Sequence, residues 1–427
     1  MLSYNTSFID NQAIIGILRR SCNYVDQRLM DHGIRVSYIV FRLLKHKPEC
    51  AAAQIRDLCF LASLHDIGAY KTEEISRMVQ FETENVWDHS VYGYLFIKYF
   101  SPLSAMAPAI LFHHTPWRLI EKTSDITLEN KYIAQLIYLA DRLDIWLNVQ
   151  NASYTQFTQY LEKGRNSIFH PALVDLLLKE SFSTFTVEDI EKDSLFQQMQ
   201  NEAPFTSEEI LSYLSMIIYS IDFRSRHTVT HTMTTTSISV EIARLMDLDS
   251  QYRNQIACGA LLHDLGKIGI PVEILEFPGK LSPQAMTIMR THVAITEEIF
   301  ANAIPLPIQR IALRHHEKLD GSGYPLGLMA EELTMGEMIV ALADIVSALA
   351  GTRSYKEAFG KEQILSIIAE QKQKGQLSPT LVECMTAHYD QIMAVTSTRC
   401  QPILDIYQRL QSEYLTLYDH YAHPGAN

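Results

Sequence analysis

The sequence predicts an all-α protein built from two tandem helical domains. Three observations carry that prediction. Apolar residues recur at three- and four-residue spacing through most of the chain, the period of a helix that buries one face. Gly and Pro are sparse, 17 and 15 of 427 residues, while Leu, Ile, Ala, Met, Glu and Gln are plentiful, and that mix favours helix over sheet. A series of histidines and aspartates occurs twice in the same order, once in each half, which marks a duplicated unit.

Along the chain, Ile14, Ile17, Leu18, Cys22, Val25 and Leu29 predict a first helix, and Val36, Ile39, Val40, Leu43 and Leu44 a second. A polar run over 197–203 ends at Pro204 and marks the boundary between a domain over 1–200 and one over 201–427. Thr206-x-x-Glu209 is a capping box ahead of Ile210, Leu211, Tyr213 and Leu214. Ile238, Ile242 and Leu245 continue the helical period. The stretch 268–281, with Pro271, Pro278 and Gly279, reads as a loop. Ser282-Pro283 starts another helix, with Pro at the first helical position.

The formal charge of −13 argues against a polymeric nucleic acid as partner, because a phosphate backbone needs a basic surface. A small anion held by a few local cations remains compatible with it. Six cysteines show no C-x-x-C pairing and read as reduced, buried thiols of a cytoplasmic protein. The N-terminus lacks a basic segment followed by an apolar core, and no apolar run reaches the roughly 18–20 residues of a membrane span. A soluble, cytoplasmic protein without membrane attachment is expected. Protein partners or a homodimer are left open.

The repeat organises the chemistry. The second half contains His231, His263-Asp264, His292, His315-His316 and Asp344; the first contains His32, His65-Asp66, His89, His113-His114 and Asp141. Successive gaps are 32, 28, 23 and 28 residues in the second series and 33, 23, 24 and 27 in the first. Leu64-His65-Asp66-Ile67-Gly68 parallels Leu262-His263-Asp264-Leu265-Gly266, and Leu139-Ala140-Asp141 parallels Leu342-Ala343-Asp344. An adjacent His-Asp pair can place an imidazole on one metal and bridge to a second through the carboxylate. A His/Asp set without Cys suits Fe, Mn, Ni, Zn or Co better than Mg alone. Two metals about 3.5–4 Å apart activate a water and stabilise the oxygens of an in-line phosphoryl displacement.

The second half resembles the HD-GYP family, a subgroup of the HD metal-dependent phosphohydrolases, over roughly 205–400. The resemblance rests on 263–271, on 277–282, on His292, on His315-His316-Glu317-Lys318-Leu319-Asp320-Gly321-Ser322-Gly323-Tyr324-Pro325, and on 343–349. It implies an all-helical fold, two or three divalent metals, with iron or manganese preferred, and hydrolysis of a cyclic dinucleotide. Cyclic di-GMP and the 3′,3′-cyclic GMP-AMP hybrid are the implied substrates. It also implies that His231, His263, Asp264, His292, His315, His316 and Asp344 are metal ligands, with Asp264 as the bridge and catalytic centre. Lys267 resembles the lysine near the scissile phosphate, where a cation neutralises developing charge. Gly323 and Tyr324 resemble the loop that faces the nucleotide. Arg353 and Lys356 resemble a stretch that grips phosphate, for which a forked guanidinium is suited.

There are departures. His227, four residues before His231, stands where three-metal members carry an acid; it is a candidate third-metal ligand or a pocket residue. Ser347 and Ser354 replace a frequent Asp and Pro, and 232–236 lacks the usual Arg-Val. The first half resembles a plain HD domain over about 20–150. His32, His65, Asp66, His89, His113, His114 and Asp141 form its candidate metal set. Ala69 stands where Lys would fall, and Thr115-Pro116-Trp117-Arg118 replaces the Asp-Gly-x-Gly-Tyr-Pro loop. A regulatory or nucleotide-sensing role is expected there. Two alternatives to the phosphodiesterase are a non-catalytic cyclic dinucleotide receptor and a phosphohydrolase acting on linear di- or mononucleotides through the first domain.

Overall fold

The computed structural model describes residues 9–24, 30–47, 50–69, 87–223, 229–277, 279–351 and 359–422. Among them the chain is helical, with no strand; the two isolated bridges are Arg165 with Phe169 and Asp320 with Met329. Two compact units result. One comprises Leu18–Met216 with Leu410–Asn427 and holds the first His/Asp series; the other comprises Met1–Ile17 with Ile217–Arg409 and holds the second.

Each unit has the same three-helix heart. In the first, His32–Leu44 packs against Ala52–Ser63 and Leu128–Asp144. In the second, His231–Leu245 packs against Ser250–Leu262 and Met335–Ala350. The apolar period is what buries them: Val36, Ile39, Val40, Leu43 and Leu44 are all nearly inaccessible, as are Ile238 and Ile242. The second core continues through Ile256, Ala260, Ile311, Ile339, Val340 and Val346. Gly259 lets two helices touch, since a Cβ there would stand 2.4 Å from Ile311 Cγ2.

The helix starts behave as capping chemistry dictates. Thr206 N–H donates to Glu209 Oε2 at 2.7 Å and Glu209 N–H to Thr206 Oγ1 at 3.2 Å, opening Ser207–Asp222. Ser282 accepts from Ala285 N–H at 3.2 Å and opens Pro283–Phe300. A box with no counterpart in the sequence reading, Thr334 with Glu337, opens Met335–Ala350. The stretch 268–281 is not wholly a loop. Pro271 closes one turn through bonds from Ile274 and Leu275 N–H to its carbonyl, giving the helix Val272–Leu275; Pro is tolerated there because it precedes the first N–H donors.

Ile14, Ile17 and Leu18 are buried in Asn11–Asn23 as their spacing predicts, while Val25 and Leu29 lie outside the described residues. All six cysteines are free; Cys59, Cys258 and Cys400 are buried, and Cys22, Cys50 and Cys384 are only half-buried, short of the expectation that all are. No described helix is long and apolar enough to cross a membrane.

Candidate metal centres

The backbone brings the second series together from five places. His231 is the first residue of His231–Leu245, and His263 caps the end of Ser250–Leu262. His292 lies inside Pro283–Phe300, His315-His316 follow Leu306–Leu313, and Asp344 lies inside Met335–Ala350. Gly266 sets the closeness of the His-Asp turn to the His292 helix. A Cβ at Gly266 would fall 2.0 Å from the His292 carbonyl oxygen, and its N–H donates to Thr296 Oγ1 at 2.8 Å. Gly68 makes the same approach in the first unit, where a Cβ would fall 2.1 Å from the His89 carbonyl oxygen. The shared glycine of the two His-Asp segments is thus a packing requirement.

Asp264 divides its two oxygens between two groups of imidazoles. Oδ2 faces His231 Nε2 at 3.2 Å and His263 Nε2 at 3.1 Å. Oδ1 faces His292 Nε2 at 3.6 Å and His315 Nε2 at 3.9 Å. Asp344 Oδ1 joins the first group, 3.1 Å from His231 Nε2, and its Oδ2 turns to His316 Nδ1 at 3.7 Å. Lys267 Nζ lies 2.5 Å from Asp264 Oδ2. This arrangement suits a carboxylate shared by two cations.

The imidazoles are held in the ligating orientation. Nδ1 of His263, His292 and His315 donates to the carbonyls of Ala260, Met289 and Ala312 at 2.7, 2.7 and 2.6 Å. A carbonyl can only accept, so Nδ1 carries a proton and Nε2 is the nitrogen turned inward, able to ligate once it has lost its own proton. His231 Nδ1 instead meets Ser347 Oγ at 3.1 Å, and that hydroxyl donates to the His231 carbonyl. His231 Nε2, His263 Nε2 and Asp264 Oδ1 are buried without a hydrogen-bond partner. Each such orphan costs about 1–3 kcal/mol, so two imidazole nitrogens beside Asp264 Oδ2 and the free Oδ1 on its other side fit bound metal.

Electrostatics sorts the same groups. Burial opposes the charged form of His263, yet Asp264 and Asp344 outweigh it and lift its pKa to about 10. Burial lowers His316 to about 3 and holds His315 well below the usual imidazole range. Burial also works against the Asp264 carboxylate, but His263, Lys267 and His231 keep it ionised well below the usual range.

The first unit repeats the construction. Asp66 Oδ2 faces His65 at 3.3 Å and Oδ1 faces His113 at 3.6 Å and His89 at 4.0 Å; Asp141 Oδ1 lies 3.3 Å from His32 Nε2, and its Oδ2 lies 3.8 Å from His114 Nδ1. Both Asp66 oxygens and the Nε2 atoms of His32, His65, His113 and His114 are buried orphans. Two differences stand out. His32 Nδ1 is backed by the Asp144 carboxylate at 2.7 Å where the second unit has Ser347, and Arg142 clamps Asp141 Oδ2 at 2.7–2.9 Å. Ala69 is buried and supplies no cation.

The Gly/Pro loop seats Tyr324 on His316, rings 4.6 Å apart and 29° from parallel. Tyr324 N–H donates to the His316 carbonyl at 3.2 Å. Buried Glu317 holds the loop from beneath by accepting from Leu326 N–H at 2.7 Å and Leu328 N–H at 3.0 Å. Gly321 takes φ +75°, and the close approach of Gly323 is to the chain's own Glu317–Lys318 backbone. A cavity of about 530 Å³ opens here, lined by His231, Lys267, His292, His316, Tyr324 and Asp222 among others. His227, Arg353 and Lys356 lie outside the described residues. Sequence reasoning missed Glu317 and Asp222. Asp222 is buried, has its pKa raised to about 6 by burial, and anchors the first turn of the His231 helix through Thr232. Its only sequence signal is an acid at the end of an apolar run.

Fold and site together define an all-helical protein with two buried His/Asp centres of metal-binding type. Residues 215–381 and 29–146 each match a family described as HD domain. A 3′3′-cGAMP-specific phosphodiesterase 1 of Vibrio cholerae is 27% identical over 85% of this chain and 88% of its own length. A cyclic di-GMP phosphodiesterase of Thermotoga maritima is 35% identical over 47% of this chain and 55% of its own. The solved V. cholerae cyclic GMP-AMP phosphodiesterase V-cGAP3 shares the fold, with TM-score 0.53, 20% identity, and coverage of 88% of this chain and 97% of that one. The chain carries two HD domains in tandem.

Proposed function

We propose that the second unit hydrolyses a cyclic dinucleotide, cyclic di-GMP or 3′,3′-cyclic GMP-AMP, to the linear dinucleotide. The observation that carries this reading is Asp264 with its oxygens split between two imidazole groups and Lys267 on the same carboxylate, with His231, His292, His316 and Lys267 lining an open cavity. Relatives bearing those two substrate names support it.

HD domains imply divalent metal, and the orphaned ligand atoms fit it. His231, His263, Asp264 and Asp344 would hold one ion, and Asp264, His292, His315 and His316 a second; the donor set suits Fe, Mn, Ni, Zn or Co, and the family resemblance favours iron or manganese. His227 is a candidate for a third. Bound there, the metals supply Lewis acidity and a water of lowered pKa. Water adds across the phosphodiester: a P–O bond to water forms, the P–O3′ bond breaks, and the 3′ oxygen leaves with a proton. Lys267 neutralises charge growing on the phosphate oxygens from its place beside Asp264. Tyr324, fixed over His316, gives the nucleotide a wall. By the family resemblance, Arg353 and Lys356, outside the described residues, would grip phosphate.

The orphaned atoms of the first unit support a second metal centre on His32, His65, Asp66, His89, His113, His114 and Asp141. Without a lysine at 69 or the Gly/Pro loop, that unit serves regulation or sensing. Purified protein with Mn(II) or Fe(II) should linearise a cyclic dinucleotide, and His263→Ala with Asp264→Ala should abolish turnover. Absence of turnover across a metal panel, with tight binding retained, would favour the receptor reading.

A further inference from the structure

The cavity over the second centre has a chemically mixed lining. His231, His292, His316, Lys267 and Tyr324 line it, and so do the apolar Leu275, Phe277, Met286 and Met289, with Lys280. Phe277 is 48% exposed and Met286 37% exposed. A lone exposed apolar side chain is unremarkable in itself. Here two share one concave wall continuous with the metal centre, so the wall is open to whatever the centre binds.

The loop is constructed to hold Phe277 there. The turn Val272–Leu275 ends with Glu276 N–H donating to the Val272 carbonyl at 2.8 Å. Gly279, at φ +147°, then returns its N–H to the Phe277 carbonyl at 3.0 Å. That φ suits glycine alone. Met289 is held from the other side, because its carbonyl accepts from His292 Nδ1. Wall and metal ligand are therefore in register along one helix.

We infer that Phe277, with Met286 and Met289, is a stacking subsite for a purine base of the cyclic dinucleotide, and so a specificity-determining surface for the reaction. The inference rests on the proposed function for its substrate class. The flat π-surface of a base suits a wall made of one aromatic ring and polarisable thioethers that lines the same cavity as Lys267. Lys280 adds a cation for the second phosphate. Base stacking is tolerant of base identity, so this wall selects a nucleotide over a base-free diester, and the purines come from the proposed substrate class.

The test is kinetic, with a binding arm. Phe277→Ala should raise KM for the cyclic dinucleotide by roughly 10-fold, the scale of losing one base–aromatic stack, with kcat within about twofold and metal content unchanged. Phe277→Tyr and Phe277→Trp should restore KM. Because Phe277 is half exposed, the alanine variant should keep the wild-type melting temperature. An unchanged KM in Phe277→Ala, or a fall in kcat at constant KM, overturns the inference and leaves the phosphodiesterase reading intact. If wild type turns over no cyclic dinucleotide, that reading fails, and direct binding of cyclic di-GMP and cyclic GMP-AMP decides the subsite. Weaker binding by Phe277→Ala supports it, and equal binding overturns it.

Discussion

Gly266→Ala probes the joint between fold and site. The added Cβ would stand 2.0 Å from the His292 carbonyl oxygen, 2.6 Å from Thr296 N and 2.8 Å from Thr296 Oγ1. Two of the three atoms are helix backbone and cannot rotate aside. The His-Asp turn must therefore retreat from Pro283–Phe300, stretching the 2.8 Å Gly266–Thr296 hydrogen bond. Overpacking costs about 1–3 kcal/mol and the lost buried bond about 1, together about 2–4 kcal/mol. For a unit of this size that is a fall in melting temperature of about 4–16 °C. The retreat also widens the 3.6 Å gap between Asp264 Oδ1 and His292 Nε2, so the second centre should lose metal. Calorimetry with elemental analysis per chain reads both effects. Gly68→Ala is the internal control, with the same clash in the first unit; it should cut metal there and spare turnover in the second. A Gly266→Ala protein with wild-type melting temperature and metal content would refute the claim that this glycine sets the closeness of the two halves of the centre.

Other expectations follow the same contacts. Glu317→Gln keeps one acceptor for Leu326 and Leu328 N–H but turns an N–H₂ on the other, so the loop should loosen at a cost of about 1–3 kcal/mol, read as a lower melting temperature and a higher KM with metal retained. Lys267→Ala should lower kcat on the order of 10²–10³-fold, the scale of removing one preorganised charge-stabilising group, while elemental analysis finds the second centre still loaded. Asp144→Asn replaces the carboxylate behind His32 by a neutral amide and should weaken metal retention in the first unit by about 10–100-fold, measured by chelator competition in a His263→Ala/Asp264→Ala background; retention equal to the parent would deny Asp144 that supporting role.

The ligand series was legible because metal chemistry restricts residue type as well as spacing. His263-Asp264 and His65-Asp66 could be paired across the halves by order alone, and the structure places both sets around a divided carboxylate. The helix starts at Thr206 and Ser282 were legible because a cap is a local bond between residues three apart. The turn at Val272–Leu275 was not, since one helical turn after Pro271 carries no period to detect.

By itself the sequence determined the helical class, the duplication and the identities of the candidate ligands, all of which are written in local period or in residue type. Only the tertiary structure decided how those residues act. Asp264 could be seen to split its oxygens only once helices far apart in the chain met over Gly266. Ser347 and Asp144 became the unlike supports of His231 and His32 for the same reason, and Glu317 became the anchor of the Tyr324 loop. The Asp264, Ser347 and Asp144 roles are contacts between segments remote in sequence, which exist only when packing has closed the chain upon itself, while Glu317 reaches 9 and 11 residues ahead inside a loop that has no local period.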